Sequence, residues 1–314
     1  MKIALCFIIS YEHILNKEEL WREWIEPNKD IINVYFYYKD LSKIKSEWIL
    51  KHTLPPNYIS ETSYYHVIPA YLSLIKFALL HDNNSWFCML TDSCCPIISP
   101  KKFKYLFYQN YNKSIISWKP AFWNIDFHKR ANLKKLPTEL HLANEPWFVL
   151  KREHACQILT FTNKQRDLTK TICSGGLANE SLFAIILYCY RQLDKKGTVI
   201  SDITHIADWS RMAGPTSPHL FKEANELDIQ FIDREIIKNK YAMFIRKVAV
   251  EFPNETLRNY IYDKNKDNDN KLILCKPYDF IYAELYSFYS CFSFSFIFIF
   301  LFFLIFGFFW FLFF

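Results

Sequence analysis

No C-x-x-C pair and no histidine pair at metal-ligand spacing occurs in this sequence, and its nine cysteines form an odd set, with Cys94 and Cys95 adjacent and the other seven scattered. Metal ligands cluster because one ion must be reached by several side chains at once, so the pattern argues against a structural zinc site. Buried free thiols are the expectation, with disulfides left open for a chain that faces an oxidising compartment. A nucleic-acid footprint is lacking as well. The balance of 38 Lys and Arg against 32 Asp and Glu leaves a net charge of +6 and a pI near 8.7. That mild excess suits a small anion such as a pyrophosphate and falls short of what a nucleic acid requires. No signal peptide is expected, because the apolar run 2–10 is short and passes directly into the charged stretch 12–23. No internal repeat is evident.

What is present is a chain of 314 residues, 51% of them apolar, enough for one large core and a tail. Short apolar runs alternate with longer amphipathic stretches, the pattern of an α/β domain around a largely parallel sheet. The runs predict strands at 2–10, 31–38, 86–91, 114–118, 147–151, 198–206 and 241–248. Helices are predicted at 17–25, 64–81, 100–110, 153–161, 178–193, 223–238 and 254–262. Prolines such as Pro55, Pro56, Pro96, Pro100 and Pro137 punctuate loops without splitting this domain, which is placed at 1–262. A polar linker and pre-tail segment follow at 263–284. The last segment, 285–314, has no charged residue and 14 Phe, long enough to cross a bilayer as a helix. A T-rich stretch of coding sequence would give the same composition, so a membrane anchor and a composition artefact both stand.

Five blocks in order carry a resemblance. They are Leu90-Thr91-Asp92-Ser93-Cys94-Cys95-Pro96-Ile97, Trp147-Phe148-Val149-Leu150-Lys151-Arg152-Glu153, Asn179-Glu180-Ser181-Leu182-Phe183-Ala184, Ala207-Asp208-Trp209-Ser210-Arg211 and Met243-Phe244-Ile245-Arg246-Lys247-Val248. Together they resemble the core-2/I-branching N-acetylglucosaminyltransferase family and its plant relatives, over most of the chain up to about residue 260. The resemblance implies a GT-A-like fold with a mostly parallel twisted sheet and an inverting transfer from a UDP-sugar, commonly UDP-N-acetylglucosamine, to a glycan or glycoprotein acceptor. It also implies that no metal or other cofactor is needed, and a Golgi or secretory location. Transfer of xylose or glucose on the same scaffold is the nearest alternative; a non-catalytic glycan- or nucleotide-binding protein is the alternative from another class. A tail-anchored, cytosol-facing domain is the competing topology.

Inverting transfer needs a carboxylate to take the proton of the attacking hydroxyl while the anomeric carbon gains oxocarbenium character. Glu180, ahead of the apolar run 182–187, is the candidate base; read locally, it is equally a helix-start or capping glutamate. The leaving diphosphate must be neutralised by a metal or by fixed cations. Lys247 matches the family lysine that contacts pyrophosphate, with Arg246 beside it and Arg234 a second phosphate contact by rough alignment; a solvated surface face explains such cations as well. A metal-dependent enzyme of this fold carries Asp-x-Asp at a strand end, and the single such triplet, Asp267-Asn268-Asp269, lies in the polar linker. At the strand end stands one acid, Asp92, a donor contact by resemblance and a loop cap by local reading. Trp209, Ser210 and Arg211 form an aromatic-plus-polar group suited to a sugar ring, against the plainer reading of a core tryptophan. His205 is expected to pack in its strand, and Trp118, Lys119 and the run His128-Lys129-Arg130 either line the acceptor side or belong to a surface loop. Four Asn-x-Ser/Thr sites, at Asn83, Asn112, Asn179 and Asn254, are near chance for an Asn-rich chain and do not establish a secretory location.

Overall fold

The computed structural model describes residues 1–9, 14–194 and 197–263. These belong to one compact unit, Met1–Asn265. Among the described residues eleven strands run in chain order: β1 Lys2–Ile9, β2 Ile32–Tyr38, β3 Asn84–Thr91, β4 Cys95–Pro96, β5 Ser114–Ile115, β6 Trp118–Pro120, β7 Leu142–Asn144, β8 Val149–Lys151, β9 Val199–Ile200, β10 His205–Ala207 and β11 Phe244–Arg246. The helices are α1 Glu18–Ile25, α2 Glu47–His52, α3 Ile68–Ala78, α4 Pro100–Asn110, α5 Arg152–Lys164, α6 Arg166–Cys173, α7 Leu182–Cys189, α8 Glu226–Lys238 and α9 Asn254–Arg258.

Six strands make the central sheet in the order β2-β1-β3-β8-β5-β9. It is mostly parallel, as the alternation predicts: β1 pairs with β2 and β3 in parallel and β5 with β9, while β8 runs against both its neighbours. Both faces are covered, so the inner strands are apolar throughout rather than alternating with polar residues. Ile3, Leu5 and Phe7 of β1 and Trp86, Cys88 and Leu90 of β3 join one core with Trp21 and Trp24 of α1 and Phe103 and Phe107 of α4. Ala4, Cys6, Phe87 and Met89 point the other way, into a core with Tyr71 and Leu74 of α3, Ile158 of α5 and the apolar face of α7. The two layers of helix about one sheet are a three-layer α/β arrangement.

Two small sheets stand at the margin. One, in the order β10-β11-β4, brings three distant segments together; the other pairs β6 with β7. Their existence explains where the expected strands divide. The run 114–118 splits into β5 and β6, and 198–206 into β9 and β10, each half in a different sheet. The long helix expected at 64–81 begins at Ile68, with Pro69 in its first turn. Proline fits there because its missing N–H has no helical partner to lose, and it disfavours helix just upstream. The helix expected at 178–193 is a 3₁₀ turn, Ala178–Glu180, followed by α7, and the chain reverses at Arg191 with a φ of 55°.

Seven cysteines among the described residues are free, and Cys6, Cys88, Cys94 and Cys95 are buried, as small apolar residues would be. No helix among the described residues is long and apolar enough to cross a membrane. The hydrophobic helix expected at 285–314 lies outside the described residues, as does Asp267-Asn268-Asp269.

Candidate active site

Glu180 sits at the end of the 3₁₀ turn rather than on a helix. Leu177 enters that turn with a φ of 55°, and Ser181 leaves it with φ −145° and ψ −40°, neither helical nor extended. One buried side chain holds the turn in place. Asn144, at the end of β7, donates from Nδ2 to the carbonyls of Asn179 (2.9 Å) and Glu145 (3.0 Å), and its Oδ1 accepts from the Ala184 N–H (3.1 Å). That last bond satisfies one of the unpaired amides in the first turn of α7. Glu145 and Glu180 are thereby presented together.

The carboxylate is partly sheltered and ion-paired. Arg130 Nη1 donates to Glu180 Oε2 at 3.1 Å, with each side chain 25% exposed. Burial raises the proton affinity of Glu180 above the ordinary carboxylate range; Arg130 and Arg246 oppose that rise and Glu145 adds to it. Glu145 is raised too, by burial first, against the pull of Arg246 and Lys119. Two carboxylates and three cations thus share one electrostatic neighbourhood. Arg246 is buried, its guanidinium 4.4 Å from the centre of the Trp147 ring, and its Nε has no hydrogen-bond partner among the described residues.

Arg130 reaches this group through an unusual contact. Ala131 and Asn132 adopt left-handed φ values of 49° and 50°, and the Ala131 N–H donates to the Gly176 carbonyl at 2.9 Å. At Gly175 a side chain would place its Cβ 2.4 Å from the Asn132 nitrogen and 2.6 Å from the Lys129 oxygen. Glycine is therefore required for the two backbones to lie together.

A second group forms where β3 ends. Asp92 follows Thr91, and three residues on β4 begins and pairs with β11, so that Cys95 faces Ile245. The Val248 N–H donates to the Ser93 carbonyl at 2.9 Å, and Asn16 ties both segments, its N–H donating to the Asp92 carbonyl at 3.0 Å and its Nδ2 to that of Val248 at 2.7 Å. Burial raises the Cys94 thiol; Arg246 lowers it and Asp92 raises it, so both charges act on one buried sulfur. Lys247 Nζ donates to Ser217 Oγ at 2.8 Å. Asp92 thus lies just past the C-terminal end of β3, which pairs in parallel with β1, the end of the strands at which open α/β sheets bind ligands.

The remaining expected residues divide. Trp209 is 46% exposed in the loop after β10, available to a ligand rather than locked in the core. The polar groups of Ser210, itself exposed, and of Arg211 are taken up by neighbouring carboxylates. Asp208 Oδ1 accepts from Ser210 Oγ at 2.6 Å, Asp208 Oδ2 from Arg211 Nε at 2.6 Å, and Asp228 Oδ1 from Arg211 Nη1 at 2.9 Å and from His219 Nε2 at 3.0 Å. Burial alone would raise Asp208, but those donors outweigh it and hold its carboxyl below the usual range. Arg234 is not brought to either group: its side chain is 64% exposed and meets Glu235 and Phe231 of its own helix. His205 packs between Trp147 and Phe244 as its strand position implies. Burial, then Arg246, depresses its proton affinity far below normal, so it is neutral. Sequence reasoning missed Asn144 and Glu145, which carry no motif, and placed Arg130 only as a possible acceptor-side residue.

A model of the Core-2/I-Branching enzyme family matches residues 33–235. The chain belongs to the Core-2/I-Branching enzymes. It is therefore a glycosyltransferase, with a sugar donor and a glycan acceptor. A solved glycosyltransferase, described as involved in glycosylation of the major capsid of PBCV-1, aligns over 78% of this chain and 94% of its own at 14% identity. Its TM-score is 0.35, too loose a likeness to argue from. No curated protein matches the chain. In this Core-2/I-Branching enzyme, the matched span includes Asp92, Arg130, Glu145, Glu180, Trp209 and Arg211, and ends before Arg246 and Lys247.

Proposed function

We propose that this Core-2/I-Branching enzyme transfers N-acetylglucosamine from a UDP-sugar to a glycan or glycoprotein acceptor with inversion, on a GT-A-like scaffold and without a metal. The observation that carries the reading is the paired, sheltered carboxylate of Glu180, one quarter exposed, held against Arg130 and raised in proton affinity. A carboxylate whose proton affinity is raised by burial takes a proton from a hydroxyl more readily than a solvated one. The acceptor hydroxyl gives its proton to Glu180 as its oxygen bonds the anomeric carbon, and the sugar–phosphate bond breaks with its electron pair going to UDP. Lys247 and Arg246 balance the departing diphosphate as fixed cations, which cost no reorganisation during the reaction. Asp92 contacts the donor, and Trp209 offers an aromatic face to the transferred sugar or acceptor. Ser210 and Arg211 support that loop through Asp208. Arg234, on the exposed side of α8, has no part in this reading. The segment 285–314 attaches the enzyme to a membrane, in the Golgi or secretory pathway.

Glu180→Gln removes the base and little volume. Transfer is expected to fall by about 10²-fold or more, with UDP affinity retained. Lys247→Ala is expected to weaken UDP binding instead, and chelator to leave transfer intact. Wild-type turnover in the Gln variant would remove the base assignment, and strong chelator inhibition would remove the metal-free mechanism. Assay of UDP release over a panel of UDP-sugars identifies the donor, a xylosyl or glucosyl donor being the alternative.

A further inference from the structure

Between the two ends of the site lies a tight turn whose tip is aromatic. The Ser63 N–H donates to the His66 carbonyl at 3.3 Å and the His66 N–H returns a bond to the Ser63 carbonyl at 3.0 Å, closing a turn with Tyr64 and Tyr65 at its tip. Turn tips are ordinarily taken by Gly, Asn, Asp or Pro, whose backbones suit them. Here two tyrosines, 50% and 49% exposed, occupy them with ring centroids 5.1 Å apart and planes at 84°. They form an aromatic corner, and folding leaves about half of each side chain in solvent.

The corner is anchored at both ends of the site. The Tyr65 carbonyl accepts from the Leu177 N–H at 2.9 Å, three residues before Glu180, and a side chain at Gly176 would lie 3.7 Å from the Tyr65 ring. Tyr64 Oη and Thr216 Oγ1 are 3.3 Å apart, one residue before the Ser217 hydroxyl that receives Lys247 Nζ. A third tie joins His66 Nδ1 to the Cys173 carbonyl at 3.3 Å. The turn is thus fastened to the segment bearing Glu180 and to the loop that holds Lys247. A glycosyltransferase must seat its acceptor where one hydroxyl meets the base and the anomeric carbon lies toward the diphosphate. A pyranose presents an apolar face of C–H groups that stacks on an aromatic ring while its hydroxyls stay wet, and a half-exposed tyrosine supplies such a face together with a polar tip.

We infer that the Tyr64–Tyr65 corner is the acceptor subsite, stacking a pyranose ring of the acceptor glycan beside Glu180. This rests on the reading of Glu180 and Lys247 as the two ends of the transfer site. The test uses the full-length chain in detergent, with methyl glycosides of galactose, N-acetylgalactosamine, glucose and xylose as probes, followed by saturation-transfer NMR, and with UDP binding measured by calorimetry. At least one glycoside is expected to receive saturation mainly on one ring face. Tyr64→Ala and Tyr65→Ala are each expected to weaken that binding by roughly fivefold and leave UDP affinity within about twofold, which also reports that the fold is intact. Tyr65→Phe, which keeps the ring, retains binding. No glycoside signal on the wild-type chain, unchanged binding in both Ala variants, or equal loss of UDP and glycoside binding would each overturn the inference. Glu180→Gln separates it from the underlying reading. That variant should still bind the glycoside while failing to transfer; if it transfers normally, the base assignment falls while the binding result at the tyrosines stands.

Discussion

At the scale of single residues, the proposed mechanism turns on how strongly Glu180 holds a proton. Its affinity is raised by burial, lowered by Arg130, raised by Glu145 and lowered by Arg246. A base works only when ionised, so if Glu180 is the proposed base, activity is expected above its raised value and is expected to be lost as pH falls through it. Arg130→Gln removes the nearest cation and raises the affinity further. The acid limb of the pH–kcat/KM profile is expected to move to higher pH, and a limb that stays or moves down would show that Arg130 does not act on the base. The same shift carries a stability consequence of opposite sense to a salt-bridged acid. The native state binds the Glu180 proton more tightly than the unfolded chain, so stability is lost as pH rises from the ordinary carboxylate value through the raised one. Glu180→Gln is therefore expected to melt no lower than wild type at neutral pH. Glu180 was singled out in the sequence by a block of the family pattern, whereas the Arg130 it pairs with lies 50 positions away. No local periodicity encodes a pairing at that separation.

At the scale of elements, the contact between the 129–132 loop and the Gly175-Gly176 turn sets where Arg130 points. Gly175→Ala would put a methyl group 2.4 Å from a backbone nitrogen that no rotamer can move. The cost is expected at about 1–3 kcal/mol, as for overpacking, and is to be read from denaturant midpoints. If the loop instead retreats, Arg130 leaves Glu180, and the acid limb moves up as it does in Arg130→Gln. Unchanged stability together with an unchanged pH profile would show that the approach is not needed. Elements with long uninterrupted patterns were read well, α1, α4, β1 and β2 differing from expectation by a residue at most. Segments that change partner midway were not. A run such as 198–206 is continuous in apolar character, but its halves β9 and β10 bond to different sheets, and hydrogen-bond partners across space leave no mark on local composition.

At the scale of the whole molecule, the described unit is a three-layer domain and the tail is a separate question of solvent. A chain ending at residue 265, the last of the compact unit, is expected to stay folded and to bind UDP like the full chain. The full chain is expected to sediment with membranes and to need detergent for release, because 285–314 carries no charge and has enough residues to cross a bilayer were it helical. Equal partitioning of both chains into buffer would refute the anchor. The alternation of short apolar and longer amphipathic runs was sufficient for an α/β domain with a mostly parallel sheet, since strand and helix periods are local properties of the chain. The ordered blocks were sufficient for the family. Tertiary structure alone decided the sheet order with β8 reversed, the meeting of β4, β10 and β11 that sets Ser93 against Val248, the Asn144 clamp that places Glu145 next to Glu180, and the exile of Arg234 to solvent. Those depend on which distant surfaces exclude water together, and burial of that kind is a property of the packed chain and of no segment of it.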